Sequence, residues 1–599
     1  MSDEMPIWEQ RVRASQLLSF SLSGAPVVWA ADVSDRGVLL ANVTGRTEVF
    51  AFDAATSPAT LRQVTDRPQG TTGTSIAPDG SAVFWFDDHA GDEVGRWQRD
   101  SLDGGPVVTM LPNLAPSYSG GFQPLSSGGA VVARLVEEGF ELAVAASDGT
   151  GDVVYRSKDQ ADLEDVTPDE GLALLAFAPG GDWLHLGVRV VSLVTGAVVA
   201  ELAEPGRNLH PVGFDPQDPS KVLVVHEPQD RATPMIWNTG SGDRSDMVTG
   251  LEGDVFADWY PDGSALLLTV LHEARHRLFR FERESAQLSA IAAPDGAVAV
   301  ASARPDGSVH VLTSRSDRPV ELVAVTEEGA RPLVRLPGEP PPETVAASDV
   351  YADGPAGRVH GLLYRPRRGV EPFATVFMVH GGPTGQDVDG WNDIVAAVVD
   401  HGYAVVRVNY RGSTGYGAQW RDALHERLGF IELEDISAVR TQLESDGVVD
   451  PDRVSVAGGS WGGFLTLMAL GTQPTQWRSG AALVPLADWF TSSQDAPSFM
   501  QAYDASLMGG TIEQIPDVYR AASPITYADA VQAPVFVTAG ENDPRCPVRQ
   551  VDTYVEALRA RDHDVRYERL ATGHAMPDLD LKVAELRTML NFLTETNPA

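Results

Sequence analysis

Residues 453–470 read Arg453-Val-Ser-Val-Ala-Gly-Gly-Ser460-Trp-Gly-Gly-Phe-Leu-Thr-Leu-Met-Ala-Leu470. A β-like run, Arg453 to Ala457, passes through Gly458-Gly-Ser460-Trp-Gly462 into a helical run, Trp461 to Leu470. The pattern G-x-S-x-G holds a serine on a sharp turn between strand and helix. Glycines two residues to either side let the two elements approach without Cβ clashes, and Gly463 follows. Ser460 is therefore a candidate nucleophile.

Outward from this turn, buried strands alternate with amphipathic helices from about residue 346 onward. The expected strands are Phe373 to Val379, Tyr403 to Asn409, Pro534 to Ala539 and Val565 to Leu570. The expected helices are Val388 to Asp400, Ile431 to Ser445 and Val548 to Arg561. That grammar predicts an α/β-hydrolase domain with a doubly wound, mainly parallel sheet, its chemistry at the carboxyl ends of the strands.

A serine hydroxyl needs a base, and the base needs an acid to hold its tautomer. Hydrolases of this architecture supply them in the order Ser, Asp, His. Asp543 closes the turn after Val535 to Gly540, 83 residues past the serine, and His574 closes the next such turn 31 residues later. His563 sits in a polar stretch and His401 at a helix end, so neither is as well placed. The first strand runs into Met378-Val-His380-Gly381-Gly382-Pro383, a glycine-rich loop suited to presenting free N–H groups to an oxyanion. Gly382 is the expected loop donor and Trp461, which follows the nucleophile, the other.

Residues 1–345 have a different pattern, short β-branched and aromatic runs broken by turns. Turns of Asp-Gly type recur at Asp35, Asp79, Ser126, Asp169, Asp215, Asp262 and Asp306, with gaps of 44, 47, 43, 46, 47 and 44 residues. A period in that range predicts a β-propeller, here of seven blades with a short N-terminal extension. The rival arrangement is a pair of β-sandwiches. Residues 346–599 are then the catalytic domain.

The formal charge of −38 argues against nucleic acid or an anionic membrane as partner, since both demand a basic face. The start, Met1 to Trp8, has no basic and apolar leader pattern, and no apolar run reaches the roughly 18 residues of a membrane span. With a single cysteine, Cys546, read as a bystander thiol, the expected setting is cytoplasmic. The expected chemistry needs no cofactor and no metal, and the sequence leaves a homo-oligomer open.

His380-Gly-Gly-Pro383, Asn409-Tyr-Arg-Gly-Ser-Thr-Gly-Tyr-Gly417, Gly458-Gly-Ser-Trp-Gly-Gly463, Asp543-Pro-Arg-Cys-Pro547 and Gly573-His574 occur in this order. Together they resemble the prolyl oligopeptidase family of serine peptidases, especially its acylaminoacyl-peptidase and dipeptidyl-aminopeptidase-like branch. The resemblance implies hydrolysis of short peptides or other small amides, with the propeller limiting access. It also implies that Arg545 binds a substrate carbonyl and that Trp489 and Phe490 line the pocket for the residue before the scissile bond. Tyr410 and Arg411 read as structural supports, and Glu137 with Glu138 is a weak candidate for holding a substrate ammonium. An esterase or acyltransferase acting on a small metabolite uses the same acyl-enzyme, and a catalytically silent binding propeller is the third alternative.

Overall fold

Each of the seven turns joins the first and second strands of a four-stranded antiparallel sheet in the computed structural model. The structure describes residues 5–20, 25–55, 59–425 and 427–599; Met1 to Glu4, part of the leader reading, lie outside them. The sheets run from Val27–Trp29 to Thr60–Gln63, Thr74–Ile76 to Val108–Thr109, Tyr118–Pro124 to Gly151–Ser157, and Ala161–Val166 to Val198–Leu202. Three more run from Leu209–Asp215 to Arg244–Asp246, Asp254–Trp259 to Leu288–Ile291, and Ala297–Ala303 to Gly329–Pro332.

The regularity has a local cause. In the turns at Asp79, Asp169, Asp215, Asp262 and Asp306 the carboxylate accepts the N–H two residues on, at 2.9–3.1 Å, which fixes the reversal. The strands so launched are buried on both faces, because every blade shares an apolar core with each neighbour. Leu39, Phe50 and Phe52 of the first blade meet Leu312, Leu322 and Leu333 of the seventh, and Arg304 of the seventh donates to the Ala30 carbonyl at 2.7 Å. The ring is thereby closed, which two sandwiches would not be.

From the first blade through the sixth, the first strands of neighbouring blades touch one another and line the axis. On the fourth of them Asp162 and Glu164 share a face, and burial pushes both carboxyl groups up to about 7. Such a group binds its proton more tightly folded than unfolded, where it titrates near 4. Stability therefore falls as pH rises from about 4 to about 7, and the loss is complete above that window. Replacing both by their amides, Asp162→Asn with Glu164→Gln, removes the term. Calorimetry should find the variant's melting temperature gaining on wild type between pH 5 and pH 8; a constant gap would contradict this.

The C-terminal sheet has strands β1 (Ser348–Gly354), β2 (Gly357–Tyr364), β3 (Phe373–Val379), β4 (Ala404–Asn409), β5 (Val449–Gly459), β6 (Gly480–Leu483), β7 (Val535–Gly540) and β8 (Val565–Leu570), in the order 1-2-4-3-5-6-7-8. Strands β3 to β8 are parallel, and β1 and β2 form an antiparallel hairpin at one edge. The helix Ile431–Ser445 stands as expected. The helix expected from Val388 starts only at Asp393, because Asn392 caps it by accepting the Val395 N–H at 3.0 Å, leaving Gly390 and Trp391 in the loop. The helix after Asp543 is Val548–Arg559. Among the described residues no helix is long and apolar enough to cross a membrane.

One correction concerns the start of the chain, which sequence analysis assigned to the propeller unit. The helix Ile7–Arg13 packs on the hydrolase domain: Trp8 and Val12, one helical turn apart, join a core with Val395, Val398, Leu586 and Leu590. Buried Arg11 pairs with Asp400 and donates to the Pro342 carbonyl at 2.9 Å. The chain enters through the hydrolase domain, builds the propeller, and returns.

Candidate active site

Ser460 stands between β5 and the helix Trp461–Thr472 with φ 55° and ψ −119°, a strained conformation for a residue with a side chain. The surrounding glycines are sterically required. A Cβ on Gly458 would lie 2.6 Å from the Val379 carbonyl oxygen, and one on Gly462 only 2.0 Å from the same atom. Both contacts are with backbone of β3, which cannot turn aside. We expect Gly462→Ala to destabilise the domain by about 3 kcal/mol, as severe overpacking does. Urea unfolding of the variant checks this, and a change below ~0.5 kcal/mol would contradict it.

Asp543 and His574 follow the carboxyl ends of β7 and β8 and meet there. His574 Nδ1 lies 2.7 Å from Asp543 Oδ2. The other carboxylate oxygen, Oδ1, accepts the Arg545 and Cys546 N–H groups at 2.8 and 2.9 Å, so every direction of this buried acid is specified. Because a carboxylate only accepts, the histidine proton is assigned to Nδ1, which leaves Nε2 as an acceptor. Ser460 and His574 both line a cavity of about 850 Å³ between the domains, with Asp162 and Glu93 on its propeller side.

The His380 loop crosses the mouth of the elbow. His380 Nδ1 donates to the Gly381 carbonyl at 2.7 Å, its Nε2 accepts from the Ser413 hydroxyl at 2.9 Å, and the Tyr410 ring stacks on it at 4.3 Å. Burial pushes the His380 pKa down, consistent with a neutral ring. In a trans peptide the carbonyl and the next N–H point oppositely. Turning the Gly381 carbonyl toward His380 therefore turns the Gly382 N–H the other way. The Trp461 N–H, first in its helix, has no intrahelical partner to satisfy it. Tyr410 and Arg411 are supports: Tyr410 donates to the His380 carbonyl at 2.9 Å, and Arg411 pairs with Glu434 and Asp435, each at 3.0 Å.

The remaining expected residues separate. Arg545 lines the cavity, but its fork is engaged by Glu93 of the second blade, Nε to Oε1 at 2.8 Å and Nη2 to Oε2 at 2.9 Å. Trp489 is buried against Trp461 and Phe464 and forms part of the cavity wall. Phe490 does not reach the cavity; the Arg520 guanidinium lies over its ring at 5.7 Å. Adjacent helix residues point about 100° apart, so only one of this aromatic pair faces inward. Glu137 and Glu138 are exposed in a hairpin turn and line a smaller cavity of about 280 Å³ that shares Tyr118, Leu135 and Phe499 with the main one. His401 Nδ1 bonds the Ala397 carbonyl, and His563 Nε2 the Ala533 carbonyl, both away from the cavity.

Sequence reasoning missed Glu93, Phe499, Tyr503 and Asp504, and took Cys546 for a bystander, yet all five line the cavity. Burial and the Asp543 charge push the Cys546 thiol well up, so it stays protonated. The blade-two loop also touches the loop that carries Asp543, with the Asn542 side chain donating to the Ala90 carbonyl at 3.2 Å.

The sequence profile of the prolyl oligopeptidase family matches residues 391–597. Dipeptidyl aminopeptidase BIII of Pseudoxanthomonas mexicana is 31% identical over 201 residues, 33% of this chain and 29% of that protein. The acylamino-acid-releasing enzyme of Rattus norvegicus is 32% identical over 200 residues, 32% of this chain and 27% of that one. The aligned segment thus spans under a third of either relative. Over nearly the whole chain the fold is that of a puromycin-hydrolyzing peptidase of Mycobacterium tuberculosis, with TM-score 0.80 at 20% identity and coverage of 100% of this chain and 96% of that one. An acylaminoacyl peptidase of Pyrococcus horikoshii superposes with TM-score 0.73 at 15% identity, covering 99% and 98%. Residues 391–597 are thus similar to the prolyl oligopeptidase family, and the propeller-plus-hydrolase fold is shared with the solved peptidases over nearly the whole chain.

Proposed function

We propose that the chain is a serine peptidase that hydrolyses short peptides or small aminoacyl and acyl-aminoacyl amides. The observation that carries this reading is the oriented His574–Asp543 pair, which shares with Ser460 a cavity closed over by the propeller. Ser460 Oγ attacks the acyl carbon while His574 Nε2 takes its proton, and Asp543 stabilises the imidazolium. The Trp461 and Gly382 N–H groups receive the oxyanion. Collapse breaks the C–N bond, and the amine leaves with the proton from His574. Water then repeats the sequence on the acyl-enzyme, releasing the acid and restoring Ser460.

A space of about 850 Å³ admits a few residues and excludes a folded protein. Arg545 holds Glu93 through Nε and Nη2, and its remaining Nη1 is the group read as meeting a substrate carbonyl; the pair joins a cation and an anion at one point of the wall. Trp489 supplies apolar surface for the residue before the scissile bond. A cytoplasmic setting suits the single, protonated thiol. The test is turnover of free-amine, acylated and dipeptidyl anilides beside matched esters. Amide cleavage by wild type supports the reading; strong ester turnover without any amide cleavage overturns it in favour of an esterase.

A further inference from the structure

The helix Ser498–Met508 lays Phe499, Tyr503 and Leu507 along the cavity wall, at the four-residue spacing of one helix face. Among these apolar and aromatic groups stands one carboxyl group, that of Asp504. It is only 7% exposed, and among the described residues no hydrogen-bond donor or cation meets it. Desolvation alone pushes its pKa up to about 8. The charged groups nearest the wall do not relieve it: Arg545 is committed to Glu93, and Tyr503, Tyr519 and Cys546 are neutral groups whose own pKa values are raised. Asp504 also borders a second cavity of about 340 Å³ behind the helix, where Glu513 adds another carboxylate and no lysine or arginine is present.

An unpaired buried carboxyl group is costly unless something completes it, and among the described residues nothing does. It lines the same cavity as Ser460, beside this apolar wall, with acidic space beyond. We propose that Asp504 is a specificity-determining residue that selects substrates whose acyl residue carries a long side chain ending in a cation, lysyl or arginyl. This rests on the peptidase reading above. The methylene stem lies along Phe499, Tyr503 and Leu507, and the cation pairs with the carboxylate, which ionises as the pair forms. A neutral side chain of equal length fills the wall but leaves the carboxyl group unpaired, so discrimination of about ten- to a hundredfold is expected.

The experiment compares lysyl and norleucyl p-nitroanilides, nearly matched in length, on wild type and Asp504→Asn. The expected result is a kcat/KM ratio of about ten to a hundred in favour of lysyl for wild type, collapsing toward one in the variant. A wild-type ratio of one or less, or a ratio unchanged in Asp504→Asn, overturns the proposal. If neither anilide is cleaved, the peptidase reading fails separately. Asp504 is then judged without turnover, from the slowing of Ser460 fluorophosphonate labelling by lysinamide against norleucinamide. Stronger protection by lysinamide, lost in Asp504→Asn, supports the proposal; equal protection overturns it. Should Asp504→Asn not fold, the wild-type ratio and the wild-type protection difference decide.

Discussion

Asp543→Asn is expected to lower kcat on a cleaved anilide by about 10⁴-fold while leaving the fold intact. The reason lies in how the acid is held. Its Oδ1 accepts two backbone N–H groups, from Arg545 and Cys546, and its Oδ2 accepts the proton on His574 Nδ1. An asparagine keeps the first pair by directing its single carbonyl oxygen at them. Its NH2 then faces His574 Nδ1, which must become an acceptor and move the ring proton to Nε2. In that tautomer the imidazole cannot take the proton of Ser460, although every heavy atom is in place. Steady-state kinetics with a thermal melt separates this from unfolding. A loss of kcat below tenfold in a folded variant would show that Asp543 is not the group that orients His574.

Gly573→Ala should be the next most damaging change, lowering kcat/KM by about a hundredfold, the scale of a 1 Å misplacement of a reacting group. A Cβ on Gly573 would lie 1.9 Å from the Gly91 carbonyl oxygen of the propeller, and only backbone surrounds it there. Gly91 itself has φ 84°, so that side of the contact cannot be relaxed by substitution. Either the blade-two loop lifts or the loop carrying His574 shifts, and His574 is the very next residue. Hydrogen exchange across residues 88–95 and 571–576 would report which. Unaltered kinetics would mean that the propeller does not fix the position of His574.

What could be read from the sequence was whatever local chemistry dictates. The elbow is legible because strand, glycines, serine and helix are contiguous, and the acid and base because each follows the carboxyl end of a strand, buried for Asp543 and a partly exposed edge strand for His574. The propeller is legible because a turn recurs at a near-constant spacing between the first two strands of each blade, stabilised by an aspartate in five of the seven. What escaped depends on distance along the chain. The partner of Arg545 is 452 residues away, in a blade loop with no distinguishing pattern. Trp8 and Val12 are next to the propeller in sequence but belong to the hydrolase core in space. Trp489 and Phe490 look equivalent as letters; which one faces the cavity is set by the rotation of a short helix capped by Asp488. The hairpin β1–β2 was obscured by its polar alternation, Ser-Asp-Val-Tyr-Ala-Asp-Gly. Asp504 reads in sequence as one more solvated acid of a strongly acidic chain, and only packing reveals that it is buried.

The central claim, that Ser460 is the nucleophile of an amide hydrolase, is tested most directly by titrating the protein with a fluorophosphonate and locating the adduct by peptide mass analysis. The expected result is one adduct per chain, on Ser460, with anilide hydrolysis lost in proportion to labelling and both absent in Ser460→Ala. An adduct on another residue, or anilide turnover undiminished in Ser460→Ala, would contradict it.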